Sequence, residues 1–194
     1  MAIHIMLDLE TMGTRPSAPI LQIGLVAWNS KTGEQEDARF DMLLSSACDH
    51  GATIEPRTAL WWVGAAGKEA QVAILQAQTK ASSTGAVLDA VDLFVAQYNN
   101  AHDEVFVWGN GAMLDNTLLE ETYRRAGREP PWGFRSNMCY RTLKNCFPNI
   151  KAPPAPTDAI YHDALHDARY QMEHLKLLLL QHAQLDPAIV LPTR

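Results

Sequence analysis

The segment Ile3-His4-Ile5-Met6-Leu7-Asp8-Leu9-Glu10-Thr11 decides how the rest of this chain is read. Residues 3–7 are almost all apolar, as in a strand buried on both faces. Asp8 and Glu10 follow two positions apart, and residues i and i+2 of a strand point to the same side. Two carboxylates at the end of a central strand repel each other and are costly to desolvate. A divalent cation offsets both costs, and hard oxygen ligands suit Mg²⁺ or Mn²⁺. The strand reads either as a holder of metal or as one that runs into solvent with two acids at its tip. The remainder of the chain decides between them.

Met12 to Pro19 is rich in turn formers and reads as a loop. A second strand follows over Ile20 to Trp28, where Gly24 signals a bulge or a close backbone approach. Asn29-Ser30-Lys31-Thr32-Gly33 is a turn, which predicts a hairpin into a third strand near Glu36 to Leu44. A helix begins at Ile54-Glu55-Pro56-Arg57-Thr58 and carries Trp61-Trp62, a pair suited to packing, to base stacking or to a subunit interface. Residues 64–84 hold a second helix. The apolar spacing of Val87, Leu88, Val91, Phe94 and Val95 predicts a third over residues 86–98. Glu104 to Trp108 is a fourth strand, parallel to the first by a crossover through that helix. Ala112 to Ala126 reads as a helix with Asp115 in its first turns, Trp132 to Phe134 as a short fifth strand, and Tyr140 to Phe147 as a further helix. Pro153, Pro154 and Pro156 impose an irregular connection. Asp158 or Asp163 caps a long final helix ending near His182.

The chain of 194 residues suffices for one domain, residues 1–194, with a substantial core. It is 47% hydrophobic and 20% charged, an ordinary globular composition. The apolar run Leu175 to Leu180 is broken by Lys176 and is far too short to span a bilayer. The first residues lead directly into a strand and lack signal-peptide architecture. Cys48, Cys139 and Cys146 have no metal-ligand spacing, so a reduced, cytoplasmic protein is expected. The net charge of −6 is unevenly placed. Residues 124–151 hold seven basic side chains against Glu129 alone, which is +6 and leaves −12 for the remainder. Acid at the first strand and base in one block suit a phosphodiester substrate. The same block also reads as a solvated helix and loop.

Three motifs then converge. Asp8-Leu9-Glu10-Thr11 resembles the first motif of the DEDDh 3′-5′ exonucleases, D-x-E-T. Asn110-Gly111-Ala112-Met113-Leu114-Asp115 resembles the second, and His162-x-Ala164-x-x-Asp167 the third, H-x-A-x-x-D. The resemblance covers residue 3 to about residue 180, and the tandem Trp is similar to a bacterial and phage exoribonuclease-like branch. Leu114 stands where many members carry Phe. The resemblance implies an α/β, RNase H-like fold, with a mixed central sheet of about five strands flanked by helices.

It implies two Mg²⁺ (or Mn²⁺) ions held by Asp8, Glu10, Asp115 and Asp167, in an arrangement where paired ions sit about 3.5–4 Å apart. Asp8 would bridge them, Glu10 and Asp167 would bind the first, and Asp115 would act largely through water on the second. His162 would be general base, a task suited to an imidazole with an ordinary pKa of about 6.5. Leu9, Thr11 and Met12 would touch the terminal nucleotide. The expected activity is release of nucleoside 5′-monophosphates from the 3′ end of single-stranded nucleic acid, RNA slightly favoured over DNA, with no membrane partner. Related enzymes often pair, so the resemblance also admits a homodimer. A phosphodiesterase for short oligonucleotides or second messengers would share the same site, and a catalytically silent nucleic-acid-binding module would share the fold. His166 is expected to be structural or at the surface, because on a helix it projects about 100° away from Asp167. Five residues of helix also separate His162 and Asp167 by about 140° in projection, so His162 must sit at or before the helix start. The proline-rich connection before it offers little apolar content to hold it.

Overall fold

The computed structural model describes residues 2–99, 104–157 and 161–185. Five strands form one sheet in the order β3-β2-β1-β4-β5. They are β1 (Ala2–Thr11), β2 (Ile20–Asn29), β3 (Gln35–Asp41), β4 (Glu104–Gly109) and β5 (Asn137–Cys139). The helices are α1 (Leu44–Asp49), α2 (Pro56–Gly64), α3 (Lys68–Gln78), α4 (Thr84–Ala96), α5 (Asp115–Arg125), α6 (Tyr140–Cys146) and α7 (Ala164–Leu185). β1, β2 and β3 are antiparallel, and β4 lies parallel to β1, as the sequence predicts. Among the described residues no helix is long and apolar enough to cross a membrane. Asp158 lies outside the described residues.

The period of two in β1 assigns the layers. Ile3, Ile5 and Leu7 face one side of the sheet with Val87, Leu88 and Val91 of α4 and Leu118 and Leu119 of α5. Met6 faces the other side with Ala168, Met172, Leu175 and Leu178 of α7 and Tyr140 of α6. Asp8 and Glu10 continue the Met6 row. The same period therefore buries the strand and sends both acids toward α7. His4 shares this row. Its ring stacks on Trp28 and Phe106 at 5.5 Å, its Nδ1 accepts from Trp108 Nε1 at 3.1 Å, and burial pushes its pKa down to about 4.

Gly24 is a close approach. It pairs with Asp8 across the ladder, and a Cβ there would overlap the carbonyl of Ala164 at the start of α7. Gln22, opposite Glu10, accepts from the Ala164 N–H at 3.4 Å. These two β2 positions set α7 down directly over the acids of β1. Gly24→Ala is accordingly expected to lower unfolding free energy by about 1–3 kcal/mol, the range for inserting a methyl into a packed site. It should also weaken Mn²⁺ binding, because α7 carries Asp167. Denaturant melts and calorimetric titration would measure the two effects, and an unchanged melt would refute the contact.

Three expectations shift. The fifth strand lies at Asn137–Cys139, not Trp132 to Phe134. Trp132 instead packs edge-on against Tyr123 and donates to Asn137 Oδ1 at 3.1 Å, while Phe134 opens a 3₁₀ turn. Pairing with Val107, Trp108 and Gly109 decides the strand, and aromatic content does not. The helix expected from Ala112 begins at Asp115, because Gly111 with φ +126° turns the chain first. The third strand stops at Asp41, and residues expected to extend it form a bridge at Met42 and the short helix α1.

Candidate metal centre

The end of β1, the start of α5 and the start of α7 bring all four predicted acids together. Asp8, Glu10 and Asp115 are buried, and Asp167 is half-buried. Burial dominates their electrostatics. It pushes Glu10 up to about 8, reinforced by the charges of Asp167, Asp163 and Asp115. It raises Asp8 well above the usual carboxylate range, reinforced by Asp115, Glu10 and Asp167. Asp115 rises to about 7, held back by the Arg141 guanidinium and by backbone N–H groups including that of Leu9. Asp167 is raised by burial as well. Four acids that resist ionisation side by side make a candidate cation site by their chemistry.

His162 precedes α7, as the helical geometry requires. Its backbone lies in the left-handed region at φ +63°, uncommon for a side-chain-bearing residue. Its N–H donates to Asp167 Oδ2 at 3.2 Å. One ring nitrogen of His162 and carboxylate oxygens of Glu10 and Asp167 all lie within 4.8 Å of one another. The Trp61 ring packs edge-on against the His162 imidazole at 4.9 Å.

The tandem Trp thus divides its roles. Trp62 is buried and donates from Nε1 to the carbonyl of Thr11 at 2.9 Å, so it anchors the segment just past the acids. Trp61 is 36% exposed and faces His162. Thr11 Oγ1 donates to the Gly13 carbonyl at 2.6 Å. Met12 packs toward Trp62 and Leu21, whereas Leu9 points to the opposite face. Asp163 acts as the expected cap: Oδ1 accepts from the His166 N–H at 3.2 Å, and Oδ2 takes a 2.6 Å ion pair from Arg39. His166 is half-buried on the first turn of α7.

Gln171 escapes sequence reasoning. It is buried one helical turn beyond Asp167, and its Nε2 donates to Asp8 Oδ1 at 2.7 Å. The i, i+4 spacing from Asp167 was the only sequence signal for it. An amide donor there orients the Asp8 carboxylate and favours its charged form. Partners of this kind typically cost 10–100-fold in metal affinity when removed. Gln171→Leu should therefore weaken Mn²⁺ binding by about that factor, read by calorimetry, and undiminished affinity would show that Asp8 needs no such support.

The basic block also divides. Arg124 pairs with Glu120 at 3.2 Å, and Arg128 pairs with Asp89 and Asp92 at 2.9 and 2.5 Å. Arg125 donates to the Pro16 carbonyl at 2.8 Å. Arg125 and Arg128 tie the end of α5 to the β1–β2 loop and to α4, whereas Arg124 pairs within its own helix. Arg141 lies beside Asp115, and Lys144 reaches Asn110 Oδ1 at 3.4 Å.

No curated protein matches this sequence. The nuclease domain of 3′hExo, a DEDDh family member, is similar in fold, with a TM-score of 0.58 at 12% identity over 93% of this chain and 92% of that one. Cell-death related nuclease 4, CRN-4, gives a TM-score of 0.53 at 10% identity over 92% of this chain and 64% of that one. The fold is therefore RNase H-like, the mixed sheet that the motifs implied. The 3′-5′ exoribonuclease Rv2179c-like domain matches residues 3–179, from the strand that carries Asp8 and Glu10 to the helix that carries Asp167, and the chain belongs to that family.

Proposed function

We propose that this domain shortens single-stranded RNA from its 3′ end and releases nucleoside 5′-monophosphates, with DNA as a weaker substrate. The observation that carries the reading is the convergence of four buried or half-buried carboxylates near the end of β1, two of them with the His162 ring within 4.8 Å. The donor set fits two divalent cations: Asp8, Glu10, Asp115 and Asp167 offer hard oxygens, and neutral-pH ionisation of all four needs a compensating positive charge. When bound, such ions would supply Lewis-acid stabilisation of charge developing on the phosphate.

The chain's own residues do the rest. His162, at the mouth of the acid cluster, accepts a proton at a ring nitrogen from the attacking water. Trp61 limits where that ring can turn. Trp62 holds the Thr11 carbonyl and so fixes the Thr11-Met12 segment against which the terminal nucleotide would sit. The 3′hExo nuclease domain was bound to rAMP, which supports a ribonucleoside monophosphate as the product class here. The test is incubation of 5′-labelled single-stranded RNA and DNA with and without Mg²⁺ or Mn²⁺. Stepwise shortening from the 3′ end with monophosphate release is expected. Intact substrate in both metals would overturn the proposal.

A further inference from the structure

A basic groove flanks α6. We propose that it holds the phosphodiester backbone of the strand upstream of the cleaved nucleotide, which makes single-stranded polymers better substrates than dinucleotides. The inference rests on the nuclease reading above and adds to it the substrate's length class.

Of the seven basic residues in 124–151, the groove is lined by Lys144 and Lys151, with Arg141 one turn before Lys144, whereas Arg135 lies over the Phe134 ring at 5.5 Å. Arg124, Arg125 and Arg128 are held by Glu120, the Pro16 carbonyl, and Asp89 and Asp92. Arg141, Lys144 and Lys151 follow one another along α6 and the connection after it. Arg141 is exposed and rests on the β4–α5 loop, where a Cβ on Gly111 would meet its guanidinium at 3.2–3.3 Å. Lys144 sits one turn on, with Nζ over the Tyr140 ring at 5.0 Å. Burial lowers the Lys144 pKa, and the neighbouring Arg141 lowers it further. The fold therefore holds two like charges close together.

Beyond them lies a groove of about 380 Å³, lined by Lys144, Asn145, Ile150, Lys151 and His174 among others, with no carboxylate in its lining. Its floor is fixed. Both His174 nitrogens are engaged, Nδ1 with the Tyr140 hydroxyl at 2.7 Å and Nε2 with the Ile150 carbonyl at 2.9 Å. Lys144 and Lys151 in a lining without a carboxylate, with Arg141 one helical turn before Lys144, suit a run of backbone phosphates.

Position supplies the direction. Met12 and Trp62 lie on the β2 flank of the acids, and α6 lies on the β4 flank. A strand whose terminal nucleotide sits against Met12 leaves the site on the α6 side.

The test compares labelled dinucleotide, tetranucleotide and heptanucleotide RNAs with wild type and with the Lys144→Gln/Lys151→Gln double variant. KM is measured with Mn²⁺, and binding is measured by anisotropy in EDTA. In wild type KM should fall with length by about tenfold or more, and the double variant should lose most of that gain. The salt slope of heptanucleotide binding should flatten by about 1.4 as two phosphate contacts disappear. Lys151→Glu, at an exposed position, repeats the test where a folding defect is not at issue. A length-independent KM in wild type, or an equal length gain in the variants, would overturn the proposal. If wild type cleaves nothing, the nuclease reading fails and the metal-free binding still decides the groove. Length-dependent binding lost in the variants would support it, and binding indifferent to length or to the variants would refute it.

Discussion

Asp8→Asn is expected to abolish metal-dependent cleavage while making the metal-free protein more stable at pH 8. Both effects follow from one cause. Asp8 is buried among Asp115, Glu10 and Asp167, whose charges all oppose its ionisation. These carboxyls have folded-state pKa values above the unfolded ones, so the folded state binds protons more tightly. The stability they contribute is present at low pH and is lost as pH rises from about 4 through the folded values, which are about 7 for Asp115 and about 8 for Glu10. Metal-free wild type should therefore weaken between pH 5 and pH 8, by an amount on the order of a few kcal/mol.

Asn at position 8 removes one of the four charges, relieves the other three, and still accepts the Gln171 amide. Its pH-dependent loss should be smaller. Mn²⁺ should stabilise wild type more than the variant, by mass action on the folded state. The activity loss should exceed the ~10–100-fold typical of outer partners of a metal site. Thermal melts at the two pH values in EDTA and in Mn²⁺, beside a cleavage assay, give the full comparison. A variant that cleaves at the wild-type rate would remove Asp8 from the metal centre.

The second large effect separates His162 from Asp167. His162→Ala should lower kcat by about 10²–10⁴-fold, the contribution of a positioned general base, and leave Mn²⁺ affinity nearly intact. Asp167→Ala should lose affinity as well as turnover. The geometry makes this a demanding test, because the His162 ring stands within 4.8 Å of both Glu10 and Asp167 and could itself serve as a ligand. Calorimetric titration of Mn²⁺ into both variants decides between the roles. Equal losses of affinity would make His162 a ligand or an anchor.

Much of this protein is legible in local pattern. The apolar run before Asp8 and Glu10 specifies a buried strand, and its period of two places both acids on one face. Helical projection puts His162 ahead of the last helix, and α7 does begin at Ala164. Gly24 announces a close approach from its presence in a strand. Each of these signals lies within a few residues of what it predicts.

What remained hidden depends on residues distant in the chain. Nothing near Gly24 says that Ala164 is the backbone it admits. Gln171 matters only because the tertiary fold sets its amide against Asp8. The basic block reads as one feature in sequence, yet Asp89 and Asp92 of α4 claim Arg128, and the Pro16 carbonyl claims Arg125. The tandem Trp is one motif on paper and two functions in space, because a rotation of about 100° per helical residue buries Trp62 and turns Trp61 toward His162. Sequence alone determined the chemistry of the acids, through residue type and short-range period. Only the tertiary structure decided which side chains surround them, because long-range packing chooses partners that no local pattern names.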